Sequence, residues 1–169
     1  MRVENVNYFI RIKPYSMLTL GGEGLSEKYA YILLSNEKWW IRRCNKNKAG
    51  QTIQSFVRKG FSGPKNTKLI LFYIKHPLRE IRGSGEFLER IVGNVDKLWA
   101  ALGHETVFNS YQEYMAFMNG RKNATYIRFR NLQEFSSPIP VKVVSRVIKV
   151  NRMPRGGKYI SREMANAFI

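Results

Sequence analysis

Apolar and polar positions alternate through VNYFIRIK, and this aromatic and β-branched run ends at Pro14, so it predicts a first strand over residues 6–13. A glycine-rich stretch follows, with Gly21, Gly22 and Gly24, after which Ser26 is placed to cap a helix reaching about Leu34, with Asn36 as its left-handed stop. The next segment, KWWIRR, reads as a strand, on which Trp39 and Trp40 would point to opposite faces. Leu69 to Ile74, LILFYI, is apolar throughout at strand length and predicts a central buried strand. Leu78 to Val92 reads as a second extended stretch, where Gly83 and Gly85 mark a bulge or a close approach by something else. Two helices come next. Asn94 caps VDKLWAAL, which stops at Gly103, and Ser110 with Glu113 forms a capping box for YQEYMAFMN, which stops at Gly120. The pattern then returns to strands in ATYIRFRNL and, beyond Pro138 and Pro140, in VKVVSRVIKV. A turn from Met153 to Lys158 and a short helix from Ser161 complete the reading.

Between these elements, Asn45 to Lys68 is polar, basic and broken by Gly50, Gly60, Gly63 and Pro64. Only TIQSFV carries a strand pattern there, so residues 45–68 predict a long basic loop holding one hairpin arm. Residues 151–169 form a basic C-terminal extension. About six strands, interrupted by short helices without regular alternation, place the chain in the α+β class as one domain over residues 1–169. The architecture expected is a small mixed β-barrel with short flanking helices, whose closure would hide the edges of LILFYI.

Charge changes the picture most. The 169 residues hold 29 Lys+Arg and 12 Asp+Glu, a net +17 that attracts polyanions. It is segregated: residues 1–68 carry 13 basic and 4 acidic side chains, residues 69–120 carry 5 and 6, and residues 121–169 carry 11 and 2. Two basic flanks around a neutral centre become a binding face if folding brings them together. Cys44 is the single cysteine, so no internal disulfide is available, and no leader pattern opens the chain; a cytoplasmic location is expected. LILFYI is far shorter than a membrane span of about 20 residues. His76 and His104 with one distant cysteine offer no transition-metal spacing, and the G-G-E-G and G-S-G-E runs lack the strand–turn–helix context of a nucleotide fingerprint. No metal and no cofactor are expected.

The candidate chemistry is cationic and aromatic. A tryptophan left outside the core can stack on a base, while Lys38, Arg42, Arg43, Lys46 and Lys48 hold phosphates around Trp39 and Trp40. Arg58 and Lys59 in the loop, Arg121 and Lys122 at a helix exit, and Arg152, Arg155 and Lys158 in the late turn extend the set, with Gly156 and Gly157 letting backbone approach a ligand. For catalysis the pair on offer is Lys38 and Glu86: a lysine whose pKa burial would lower, and a carboxylate on a glycine-flanked strand that could shuttle a proton. Ser84 is a spare hydroxyl.

The order of a helix, LLSNEKWWIRR, a basic loop, LILFY, I-R-G-S-G-E-F, two helices, N-A-T-Y-I-R-F and an S-S-P-I-P turn resembles the ASCH proteins of the PUA-like superfamily, especially archaeal-type members, over nearly the whole chain. The family's G-x-K-x-x-E-x-R would fall on Asn36, Lys38, Ile41 and Arg43; Lys38 and Arg43 match, while Asn and Ile stand where Gly and Glu belong. The resemblance implies a PUA-like barrel, a cleft beside the helix before Lys38, and an association with RNA or modified nucleosides. Some members resemble small amidohydrolases acting on acylated cytidine through a lysine and a glutamate. With Ile41 in the glutamate's place, the leading expectation is a non-enzymatic RNA-binding protein that docks on structured RNA or a ribonucleoprotein. Its partners would be ribosomal or transfer RNA, with ribosomal proteins beside them and no membrane. The alternative is an ASCH-type amidohydrolase or reader of acylated cytidine.

Overall fold

A computed structural model describes residues 28–169. The strand expected over residues 6–13, the glycine-rich stretch and the Ser26 cap lie outside the described residues.

The elements run β1 (Ala30–Ser35), α1 (Glu37–Lys48), β2 (Ile53–Arg58), β3 (Leu69–Ile74), β4 (Glu80–Asn94), α2 (Val95–Leu102), a 3-10 turn (Gly103–Glu105), α3 (Tyr111–Met118), β5 (Asn123–Pro140), α4 (Val141–Ile148), β6 (Lys158–Ile160) and α5 (Arg162–Asn166). The six strands form one sheet in the order β2-β5-β4-β3-β1-β6. β1 runs parallel to β3, and every other pairing is antiparallel.

Period-two alternation builds the core on both faces of this sheet. Tyr31 and Leu33 of β1, Ile70, Phe72 and Ile74 of β3, and Ile127 and Phe129 of β5 meet Trp40 and Cys44 of α1 on one side. The intervening residues Ala30, Ile32, Leu71 and Tyr73 face the other way, where α4 and α5 cover them with Val144, Ile148, Ala165 and Phe168. Farther along that surface, Val57, Ala124 and Tyr126 pack under α2, α3 and the segment between them through Leu98, Phe108, Tyr114 and Met118. LILFYI lies inside the sheet as expected, paired on both sides as β3. Among the described residues no helix is long and apolar enough to cross a membrane.

Four expectations need correction. Residues 30–35 form a strand rather than a helix, because β3 and β6 supply backbone partners on its two edges. KWWIRR is helical, not extended: Asn36 caps α1 by accepting the Trp39 amide at 3.0 Å, Glu37 sits in the first turn, and Lys46 and Lys48 suit the negative C-terminal end. VKVVSRVIKV also forms a helix, α4; its buried Val144 and Ile148 recur at the helical spacing of four, and Lys149 closes it in the left-handed conformation. Last, among the described residues the sheet does not close into a barrel. β2 and β6 are its edges, and no backbone ladder joins them among the described residues.

Gly83 fulfils the close approach expected of it. A Cβ there would lie 2.3 Å from the Gln133 carbonyl oxygen and 2.6 Å from Trp40 Cη2, and the β4–β5 register shifts around this point. The glycine lets α1 and β5 press against β4 together.

Candidate nucleic-acid interface

The first basic run is largely occupied by the protein itself. On a helix, adjacent side chains diverge by about 100° rather than facing opposite ways, so α1 sends Trp40 into the core at 4% exposure, against Phe72 at 5.5 Å. Trp39 turns toward α3, its ring edge-on to Phe108 at 5.2 Å and Phe117 at 6.3 Å. Lys38 and Arg42 lie over its ring at 4.6 and 5.1 Å. Trp40 therefore offers no stacking face, and the partly buried Trp39 ring is already engaged by two phenylalanines and two cations. Arg42 Nη1 donates to both carboxylate oxygens of Glu113 at 2.8 Å, and Lys38 Nζ stands 3.7 Å from the same group. The Asn109 amide, with Arg42 and Lys38 beside it, holds the Glu113 carboxyl below the ordinary glutamate range.

Arg43 cannot reach a phosphate. It is 1% exposed, with its guanidinium over Phe129, Phe56 and Phe72 at 5.3, 5.2 and 5.8 Å, and its Nε and Nη1 make no hydrogen bond. Burial pulls its pKa down to about 9. Lys46 is half-buried, its pKa lowered by burial with Arg43 and Arg42 nearby, and exposed Lys48 lies 3.7 Å from Glu134. The Lys38 and Glu86 pair is likewise not assembled: Lys38 belongs to the Glu113 network, while Glu86 on β4 accepts from Arg130 Nε at 2.8 Å and Asn131 Nδ2 at 3.0 Å. Ser84 is buried.

The later cations behave differently. Arg58, at the end of β2, donates through Nη1 to Ser62 Oγ at 2.7 Å and to the Gly156 carbonyl at 2.9 Å, and the Tyr31 hydroxyl donates to that same carbonyl. The loop after β2 and the turn before β6 are thereby tied together, carrying Lys59, Arg152, Arg155 and Lys158 with them. Arg152 and Arg155 are exposed and Lys158 is half-buried, while Lys59 lies over the Phe117 ring at 4.9 Å. Arg121 and Lys122 are exposed in the turn after α3. Gly157 has φ +89, and a Cβ on it would lie 2.5 Å from the Ile32 carbonyl oxygen, so its close approach is to β1 and not to a ligand.

A groove of about 650 Å³ opens against the end of the 59–68 loop. Its cations are Lys65, Lys68, Arg90, Arg130 and Arg162; Tyr29 and Phe87 supply rings, and Glu86 and Glu89 supply carboxylates. The 59–68 loop that forms one wall is pinned at both ends, with Thr125 Oγ1 donating to Gly60 O at 2.6 Å and Thr67 Oγ1 to Tyr29 O at 2.8 Å. Midway, Arg90 Nη1 donates to Phe61 O at 2.8 Å, and the Lys65 amide donates to the Tyr159 hydroxyl at 2.7 Å. Arg162 lies over the Tyr29 ring at 4.8 Å. Phe61 stands 65% exposed on this loop. Sequence reasoning missed all five groove cations, Tyr29 and Phe61. The signal for Lys65, Lys68 and Phe61 was their position in the basic loop, whereas Arg90, Arg130 and Arg162 converge only through strand register and the docking of α5.

Comparison with family models and with curated protein sequences gives no match. Crystal structures of the ASCH protein from Zymomonas mobilis share the fold. The protein itself aligns with a TM-score of 0.68 at 19% identity, over 83% of this chain and 94% of its own. A serine-to-alanine variant gives 0.68 at 19% over 85% and 96%, and a tyrosine-to-phenylalanine variant 0.67 at 19% over 82% and 95%.

Proposed function

We propose, with the ASCH-like fold as premise, that this chain is a non-enzymatic RNA-binding protein of the ASCH/PUA-like superfamily. It docks on structured RNA or a ribonucleoprotein through phosphate contacts gathered around the 59–68 loop. The observation that carries this reading is the cation-lined groove against the 59–68 loop, together with the Arg58–Gly156 tie that joins two basic segments far apart in the chain. Arg58, Lys59, Arg152, Arg155 and Lys158 lie on the two segments joined by that tie, and Lys65, Lys68, Arg90, Arg130 and Arg162 line the groove. The stacking role assigned to the tryptophans passes to Phe61, whose exposed ring on a basic loop suits a base face. Ribosomal and transfer RNA both present the required folded phosphate surface.

The amidohydrolase alternative finds less support, because Lys38 and Glu86 are held by separate partners. The binding test is the salt dependence of affinity for a structured RNA. With six or more phosphate contacts, affinity falls on the order of 10³-fold between 50 and 200 mM salt. Replacing Lys65, Lys68 and Arg162 together by alanine reduces the logarithmic slope by about one for each cation removed. A flat salt response, or a slope untouched by the triple substitution, would refute phosphate docking at this groove.

A further inference from the structure

Glu86 is out of place in a groove that serves only phosphates. Its side chain is 45% exposed and lines the groove beside five cations. Hydrogen bonds from Asn131 and Arg130 hold its pKa below the ordinary carboxylate value, so it is ionised at neutral pH and repels any phosphate brought to it. An exposed ion pair of this kind adds little stability.

The surroundings of the carboxylate are nevertheless built with care. Arg130 and Asn131 are consecutive on β5, and on a regular strand their side chains would leave from opposite faces. Asn131 instead takes φ +54, the left-handed conformation that asparagine tolerates better than most residues, and both side chains reach Glu86. Each carboxylate oxygen accepts one hydrogen bond, from Arg130 at Oε2 and from Asn131 at Oε1. A carboxylate has about four lone-pair positions, so each oxygen keeps capacity for a further donor.

We infer that Glu86 reads a base and takes the Watson–Crick edge of an unpaired guanine in RNA. Guanine presents two adjacent, parallel donors, N1–H and N2–H, which match two adjacent carboxylate oxygens. Cytosine and adenine offer one amino donor beside a ring acceptor, and the N3–H of uracil stands between two carbonyls that a carboxylate repels. Lys65, Lys68 and Arg162 hold the flanking phosphates. An unpaired loop or bulge in a structured RNA leaves the guanine edge free for this contact. The inference rests on the RNA-binding reading above.

Anisotropy titrations of the full chain with labelled RNA hairpins test it. The loops are uridine except for one central position, which is G, inosine, A, C or U. The guanine hairpin is expected to bind about tenfold tighter than the A, C and U hairpins, the value of one good bidentate contact, with inosine, which lacks the N2 amine, in between. Glu86→Gln should weaken the guanine hairpin about tenfold while leaving the uridine hairpin unchanged or tighter, because a negative charge has left the groove. Equal affinity for all five loops, with Glu86→Gln tightening every one, would overturn the guanine assignment and leave the RNA-binding reading standing. Absence of binding to every hairpin would overturn both. Free guanosine monophosphate should compete only at concentrations at least tenfold higher, since it meets fewer cations; parity with the hairpin would overturn RNA as the source of the base.

Discussion

At Arg43, a cation lies under three phenylalanine rings with two of its nitrogens unpaired. Desolvating an ion costs several kcal/mol, and each aromatic face returns on the order of 0.5–2 kcal/mol, so the terms nearly cancel. Arg43→Met keeps a long unbranched stem without the charge and is expected to hold stability within about 1 kcal/mol or raise it. Arg43→Ala leaves a cavity and is expected to cost about 2–5 kcal/mol. Urea denaturation of the two variants checks both, and a methionine variant as unstable as the alanine one would show that the charge itself is needed. Counting cations in the sequence could not separate Arg43 from Arg155. One belongs to a helix face turned into the core and the other to an open turn, and only the 3.6-residue period of α1, masked by its aromatic residues, carried that distinction.

Element by element, capping and turn chemistry were the most legible features. Asn94 accepts the amides of Asp96 and Lys97, Ser110 accepts that of Glu113, and Ser161 accepts that of Met164, each where a helix was expected to start. What misled was β-branched and aromatic content. In α1 and α4 the residues of high strand propensity form a helix because their buried positions recur every three or four residues, and tertiary burial outweighs the small differences in propensity. Asn36 marks the boundary well, as the start of a helix rather than the end of one. The contact of α1 with β4 depends on Gly83, so Gly83→Ala is expected to cost at least about 2 kcal/mol, since the added methyl meets a backbone carbonyl as well as Trp40. Gly60→Ala, with nothing within 4 Å of the new methyl, serves as the control. Thermal unfolding followed by circular dichroism should show a fall of several degrees for the first and little change for the second.

For the molecule as a whole, twelve acidic residues offset some of 29 basic ones, and Glu86, Glu105 and Glu113 are each held by an arginine. Burial pushes the Glu105 carboxyl up, but Arg128, bidentate at 2.9 and 2.6 Å, and the Ser55 hydroxyl at 2.7 Å outweigh it, and the net shift is down. Glu86 and Glu113 are lowered as well. A depressed folded-state pKa means that the unfolded chain takes up protons first. The stability these groups contribute is therefore complete above the ordinary glutamate value near 4.5 and is lost as the pH falls through their lower folded values. Unfolding free energy should be level from pH 7 to about 5 and then drop steeply, and Glu105→Gln should flatten that drop; an unchanged acid limb in the variant would remove Glu105 from the account. The segregation of charge was visible in the sequence, but which of the described cations share a surface depends on a sheet order that no local pattern encodes.

That sheet order also bears on how the chain is made. β1 receives its inner neighbour, β3, within a few dozen residues, but its outer neighbour, Lys158–Ile160, only near the end of the described chain. A ribosome releasing the polypeptide from its amino end delivers Ala30 to Ile32 long before the β6 segment that pairs with them. Shielding of that edge by β6 from other nascent strands thus waits until residues 158–160 have emerged.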